Sequence, residues 1–165
     1  MYSVTHATEV DASEAVVWRV LSDLESVSRW NPILSSTRVV GSSRRGVGAE
    51  RESQLAEGEG HLNERVVDWS EGKWLTTEIT DTSLPLSQAT IMIGVEPAGT
   101  GRSAVVVVME YEPKREALSR FGGLLALRGR LCRVSHKMIE GLKRASEESV
   151  PVAVPASAPL RPARA

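Results

Sequence analysis

The chain has 165 residues, a formal charge of -1 and a pI near 6.3. That length suffices for one domain with a real core, and the charge excludes a global basic field for nucleic acid. The one cysteine, Cys132, excludes an internal disulfide framework and fits a reducing compartment.

The first residues lack the basic and apolar pattern of a signal peptide, and no apolar run is long enough to span a bilayer. A cytoplasmic protein without stable membrane insertion is therefore expected. Ser3 to Val10 alternates and is rich in Val and Thr, which predicts a first strand. Asp11 to Glu14 reads as a helix start, with Ser13 as N-cap and Val16, Val17, Trp18, Val20 and Leu21 following. Leu24 to Ser28 predicts a second short turn of helix. Trp30-Asn31-Pro32 closes it, because the residue before proline disfavours the α region.

From Ile33 to Tyr111 the pattern is strand, turn, strand. Strands are expected over 33–40, 49–56, 61–69, 74–81, 88–96 and 103–111, with glycine-bearing connections between most of them. Pro113 to Ser146 then predicts one long helix. Leu118, Phe121, Leu124, Leu125, Leu131, Val134, Met138, Ile139 and Leu142 recur at steps of three and four, the period of one helix face. A helix of about 30 residues spans about 45 Å, so its stripe needs a partner of similar length. Only strands precede it, and a curved antiparallel sheet wrapped around the helix is the natural partner. Gly122-Gly123 and Gly129 permit a bend, the close approach of a ligand, or tight helix–sheet packing. The domain is expected to span 1–148. The Pro/Ala-rich remainder, 149–165, lacks periodicity and is expected to be disordered.

Register carries the site reading. If Gly58-Glu59 and Glu71-Gly72 are the centres of tight hairpins, Glu52, Arg65 and Glu78 line up across three strands on a face suited to water. Gln54 then pairs with Asn63, and Trp69 with Trp74 as an exposed cross-strand pair. The opposite face carries Arg51, Ser53, Glu64, Val66 and Thr77, continued by Ile91, Ile93, Val107, Met109 and Tyr111 from the last two strands. An apolar concave surface with sparse polar groups is how small-molecule pockets are built. Trp30, Phe121 and Leu125 complete the expected lining.

The order of elements, one strand, two short helices, six strands and a long C-terminal helix, now resembles the helix-grip fold. The sequence resembles the START-like, Bet v 1-like superfamily (SRPBCC), within its polyketide cyclase/dehydrase and lipid-transport group. Glu9-Val-Asp-Ala-Ser13, Val17-Trp18, Leu21-Ser-Asp23 and Trp30-Asn31-Pro32 carry the resemblance. Glu64-Arg-Val-Val67, Leu75-Thr76, Gly101 and Tyr111-Glu-Pro-Lys114 add to it, and it covers about residues 2 to 146. It implies an α+β fold, a seven-stranded antiparallel sheet gripping the last helix, and a hydrophobic ligand such as a polyketide, lipid or quinone held between the two.

Arg51, Glu64 and Ser53 form the sharpest polar group. In a cyclase/dehydratase-type enzyme Glu64 is a general base, Arg51 steadies an enolate, and Ser53 orients substrate or water. The alternative, which weighs more, is a structural ion couple inside the sheet. Trp30 lines the cavity entrance or plugs the helix–strand corner. No cofactor is expected: Gly99-Thr-Gly101 mimics a dinucleotide fingerprint but precedes a strand. No metal is expected either, because His6, His61 and His136 lie on different elements. A partner-binding protein without a small ligand is the third reading, with the basic helix face or the sheet edge as its interface. Oligomeric state is not legible.

Overall fold

Alternation in the strands and the three-four period of the last helix sort the chain into a sheet and the helices it grips. The computed structural model describes residues 1–115 and 123–150. Phe121 and the tail from 151 onward lie outside the described residues.

Strand β1 (Tyr2–Val10) is followed by α1 (Glu14–Ser22), a short 3-10 turn (Leu24–Ser26) and α2 (Val27–Trp30). Six strands come next: β2 (Leu34–Val40), β3 (Glu50–Leu55), β4 (His61–Ser70), β5 (Trp74–Thr82), β6 (Leu86–Pro97) and β7 (Ser103–Pro113). The long C-terminal helix, α3, is Gly123–Glu148. The strands form one antiparallel seven-stranded sheet in the order β1-β7-β6-β5-β4-β3-β2. This is the expected helix-grip architecture. In β7, Ser103, Val105, Val107, Met109 and Tyr111 alternate inward without interruption. In α3 the buried positions Leu127, Leu131, Ser135, Met138, Ile139, Leu142 and Ser146 keep the helical period.

Several local expectations are corrected. Pro113 ends β7 rather than opening the helix, because Leu86↔Pro113 and Gln88↔Glu112 extend the ladder past Tyr111. A proline without an N–H is tolerated at a strand's end. The β3–β4 connection is longer than a two-residue turn. Leu55 N–H donates to the Gly60 carbonyl at 2.8 Å, and Gly58 sits at φ +82° inside the loop. The register therefore slides by two residues, giving Glu50↔Arg65, Arg51↔Glu64, Glu52↔Asn63 and Gln54↔His61. An even slide changes partners but keeps every side chain on its expected face. Glu52 pairs with Arg38 instead, at 2.6 Å, and Arg65 with Glu50 at 2.7 Å.

Between β4 and β5 the expected Arg65↔Glu78 pairing is present, but an irregularity between Val66 and Asp68 shifts the end of the hairpin. Trp69 faces Leu75, Ser70 faces Trp74, and the two tryptophans do not pair. Trp69 instead packs edge-on against Trp18 of α1, with ring centroids 5.1 Å apart, beneath the Arg45 guanidinium. Ser13 occupies the N-cap of α1 without a side-chain capping bond.

Two features tie the helices to the sheet. Helix α3 crosses the Trp30–Pro32 corner at Gly141, where a Cβ would lie 1.9 Å from the Trp30 carbonyl oxygen and 3.0 Å from the Pro32 ring. Only a hydrogen fits there. At the other end of α1, Glu71 accepts both the Trp18 and Trp69 indole N–H groups at 2.8 Å and also pairs with Arg45. One carboxylate in the β4–β5 turn thus joins α1, β4 and the β2–β3 loop.

Two predictions follow from these ties. Gly141→Ala should destabilise the fold by about 1–3 kcal/mol, the usual range for overpacking. Gly129→Ala, whose Cβ would meet nothing closer than the Arg133 guanidinium at 3.8 Å, should stabilise it by up to about 1 kcal/mol through helix propensity. Urea unfolding of both variants checks this, and the opposite ranking would refute the seating of α3. The Trp18 indole bond, then the Trp69 bond, hold the Glu71 carboxyl below its ordinary 4.5 against the opposing effect of burial, and the Arg45 charge adds a smaller lowering. The unfolded chain then binds more protons, so the contribution of Glu71 is complete above 4.5 and fades as pH falls through the lowered folded value. The stability gap between wild type and Glu71→Gln should therefore be widest near neutral pH and close on acidification, followed by unfolding curves across the carboxylate range.

Candidate functional site

Helix α3 packs chiefly along β1, with smaller contacts to α1 and β7, and its Gly141 corner meets α2. The concave face of β3 to β6 is left partly uncovered, and an apolar cavity of about 230 Å³ opens between that face and the middle of α3. The sheet supplies Leu55, Leu62, Ile79, Ile91 and Met109, and the connections supply Pro32, Ile33 and Leu84-Pro85-Leu86. Helix α3 contributes Leu127, Leu131 and Val134. Among the described residues, charge enters only through Glu57, Arg130, Arg133 and Lys137. Lys137 Nζ stands 3.6 Å from the Glu57 carboxylate, linking α3 to the β3–β4 loop.

A second void, of about 20 Å³, lies deeper. It shares Ile33, Leu62 and Ile91 with the larger cavity, so these three side chains separate the two spaces. Arg51, Glu64, Thr77 and Trp30 are among its walls. The ladder sets Arg51 directly opposite Glu64, and Ser53 opposite Leu62. Arg51 Nε donates to Glu64 Oε2 at 2.7 Å and Nη2 donates to Oε1 at 3.0 Å, a bidentate pair. Thr77 Oγ1 donates to the same Oε1 at 2.9 Å. The Glu64 side chain is 1% exposed and that of Arg51 12%. The carboxylate is thus held by three donors, and the void beside it has room for about one water. Ser53 turns away to Thr37, with the hydroxyl oxygens 3.0 Å apart.

The remaining expected site residues separate into groups. Ile91 and Met109 line the larger cavity, while Trp30, Thr77 and Ile93 line the small void. Trp30 is buried behind the corner, away from the larger cavity, and its indole N–H has no partner among the described residues. Val66 and Val107 are buried wall residues that reach neither space. Tyr111 is fully buried, its hydroxyl has no partner among the described residues, and burial pushes the phenol up against a smaller lowering by Arg128. Leu125 does not face the cavity: it is 79% exposed. The buried stripe runs through Leu127 and Leu131, and a residue two positions before Leu127 is rotated by about 200° at 3.6 residues per turn. Phe121 lies outside the described residues.

Several lining residues lie outside the expected set. Leu84-Pro85-Leu86 falls between the strands expected over 74–81 and 88–96, and two leucines flanking a proline there are the signal of an apolar wall. Arg130, Arg133 and Lys137 belong to the basic face of the helix, and nothing in helical periodicity separates a cavity lip from a solvated side.

No helix among the described residues is long and apolar enough to cross a membrane. The sequence matches the family described as polyketide cyclase/dehydrase and lipid transport over residues 1–147. No curated protein matches it. Among solved structures, an aromatase/cyclase from a Streptomyces species is similar, with a TM-score of 0.79 at 14% identity, covering 92% of this chain and 97% of that one. A START superfamily protein from Mycobacterium smegmatis has a TM-score of 0.68 at 19% identity, covering 91% and 97%. A Thermobifida fusca protein has a TM-score of 0.70 at 24% identity, covering 90% and 93%. At these identities the structures establish a shared fold, and the match over nearly the whole domain establishes more: the chain belongs to the polyketide cyclase/dehydrase and lipid-transport family.

Proposed function

We propose that the protein binds a small hydrophobic molecule between the sheet and α3. The observation that carries this reading is the apolar cavity of about 230 Å³ at the place where α3 leaves β3 to β6 uncovered. Ligand pockets commonly measure about 300–1,000 Å³. A space just below that range suits a single ring or a short chain rather than a multi-ring polyketide. The family's description, which joins cyclase/dehydrase activity and lipid transport, agrees with a lipid-like or polyketide-like ligand.

A cyclase/dehydratase is the second reading, favoured by one observation: Glu64 and Arg51 stand behind the wall of that same cavity. Their geometry weighs against it. A general base needs a free lone pair within reach of the proton it takes. Arg51 and Thr77 occupy three of the roughly four acceptor sites of Glu64, and the adjoining void is too small for a substrate. The pair serves the sheet. Its charges satisfy each other in a place where either alone would be costly.

Two experiments test these readings. Native mass spectrometry of freshly purified protein should reveal a retained small hydrophobic molecule, which Ile91→Trp, by filling the cavity, should exclude. A protein that arrives empty and also binds no apolar probe would remove the proposal. Conversion of the extracted compound to a dehydrated product on incubation would select the enzyme instead. Glu64→Gln should cost about 3–5 kcal/mol in urea unfolding, because it strands the Arg51 charge. The triple replacement Arg51→Met, Glu64→Leu, Thr77→Val should recover most of that loss while leaving ligand retention intact.

A further inference from the structure

The charges that touch the larger cavity are sorted by sign. Among the described residues, Arg130, Arg133 and Lys137 face a single carboxylate at the cavity, Glu57, although the chain as a whole carries -1. The excess at the lip is therefore local. Residues 130, 133 and 137 follow the three-four spacing of one helix face and span about 10 Å along it. Leu127, Leu131 and Val134, on the adjoining stripe, line the interior. From Gly123 to Ile139 the helix contains no Asp or Glu, while Glu140, Glu147 and Glu148 all lie beyond the cavity.

Helix stability does not account for this arrangement. Like charges at three- and four-residue spacing destabilise a helix by about 0.2–0.5 kcal/mol per pair. Lys137 has a counter-charge in Glu57, whereas Arg130 and Arg133 make no ion pair among the described residues. Two exposed guanidinium groups thus stand at the mouth of an apolar space with no ion-pair partner among the described residues.

We infer that the ligand is an amphipathic anion, a short apolar body carrying a carboxylate or similar acidic group that Arg130 and Arg133 bind at the cavity lip. The inference rests on the cavity reading above and adds its polar end. The apolar body displaces solvent from the walls formed by Leu84, Leu86 and Ile91. The acid stays at the surface, where guanidinium offers paired N–H donors matched to a carboxylate. Charging the ligand's end thus need not bury an ion. A neutral ligand of the same length would gain only the apolar contacts.

The test is an NMR titration of isotope-labelled protein at low salt with octanoate and, separately, octanol. Shifts should map to Leu131, Val134 and Ile91 for both. Octanoate should bind about tenfold tighter than octanol, a difference of about 1.4 kcal/mol. That preference should shrink at high salt and vanish in the Arg130→Gln/Arg133→Gln variant, with octanol affinity unchanged. Equal affinities in the wild type, or a preference that survives in the variant, would overturn the inference while leaving the cavity reading standing. Failure of both probes to bind would remove both. Binding to phosphatidylglycerol vesicles without affinity for dissolved octanoate would assign the two arginines to a membrane surface and overturn the inference as well.

Discussion

The structure depends on the absence of a side chain at Gly141. There the backbone of α3 approaches the Trp30 carbonyl so closely that a single carbon would collide with it. This contact sets the height of the helix above the corner formed by α2 and Pro32. With that end fixed and the helix laid along β1 and β7, its middle cannot also descend onto β3 to β6. The cavity is therefore a product of where the helix is pinned. It does not arise from missing side-chain volume in the sheet.

The buried polar group is a second consequence of the same geometry. A curved sheet leaves its middle strands facing the interior, and charge placed there must be answered locally. Arg51, Glu64 and Thr77 come from three adjacent strands and meet as one hydrogen-bonded unit. Such a unit contributes little net stability compared with an apolar core of the same volume. It does oppose misregistered pairings, since a displaced strand would separate the arginine from its carboxylate.

Much of the architecture was legible because period and polarity agree along most of the chain. The strict alternation from Ser103 to Tyr111 and the spacing of Leu131, Met138, Ile139 and Leu142 leave little choice of element. The inward placement of Arg51 and Glu64 was legible for a different reason: side-chain direction depends on register only through parity. What escaped the sequence was set by tertiary contact. Trp69 turned toward Trp18 because an irregular step in β4 re-aimed it. Leu125 was misplaced because Leu124 and Leu125 are equally apolar and only packing decides the helix's phase. Gly141 passed unnoticed beside the more conspicuous Gly122-Gly123, since a close approach leaves no periodic trace.

The loop between β3 and β4 has a wider bearing. By holding four residues between Leu55 and Gly60 instead of a tight pair, it slid the strand by two positions and exchanged the partner of Glu64 from a serine to an arginine. Hairpin length thus acts as a discrete selector. Even steps re-match the polar groups across the floor of the domain while the fold stays the same, and odd steps would turn the floor inside out. The pairing of buried polar groups behind the cavity wall can in that way be altered by changing a surface loop, without replacing a single residue of the interior.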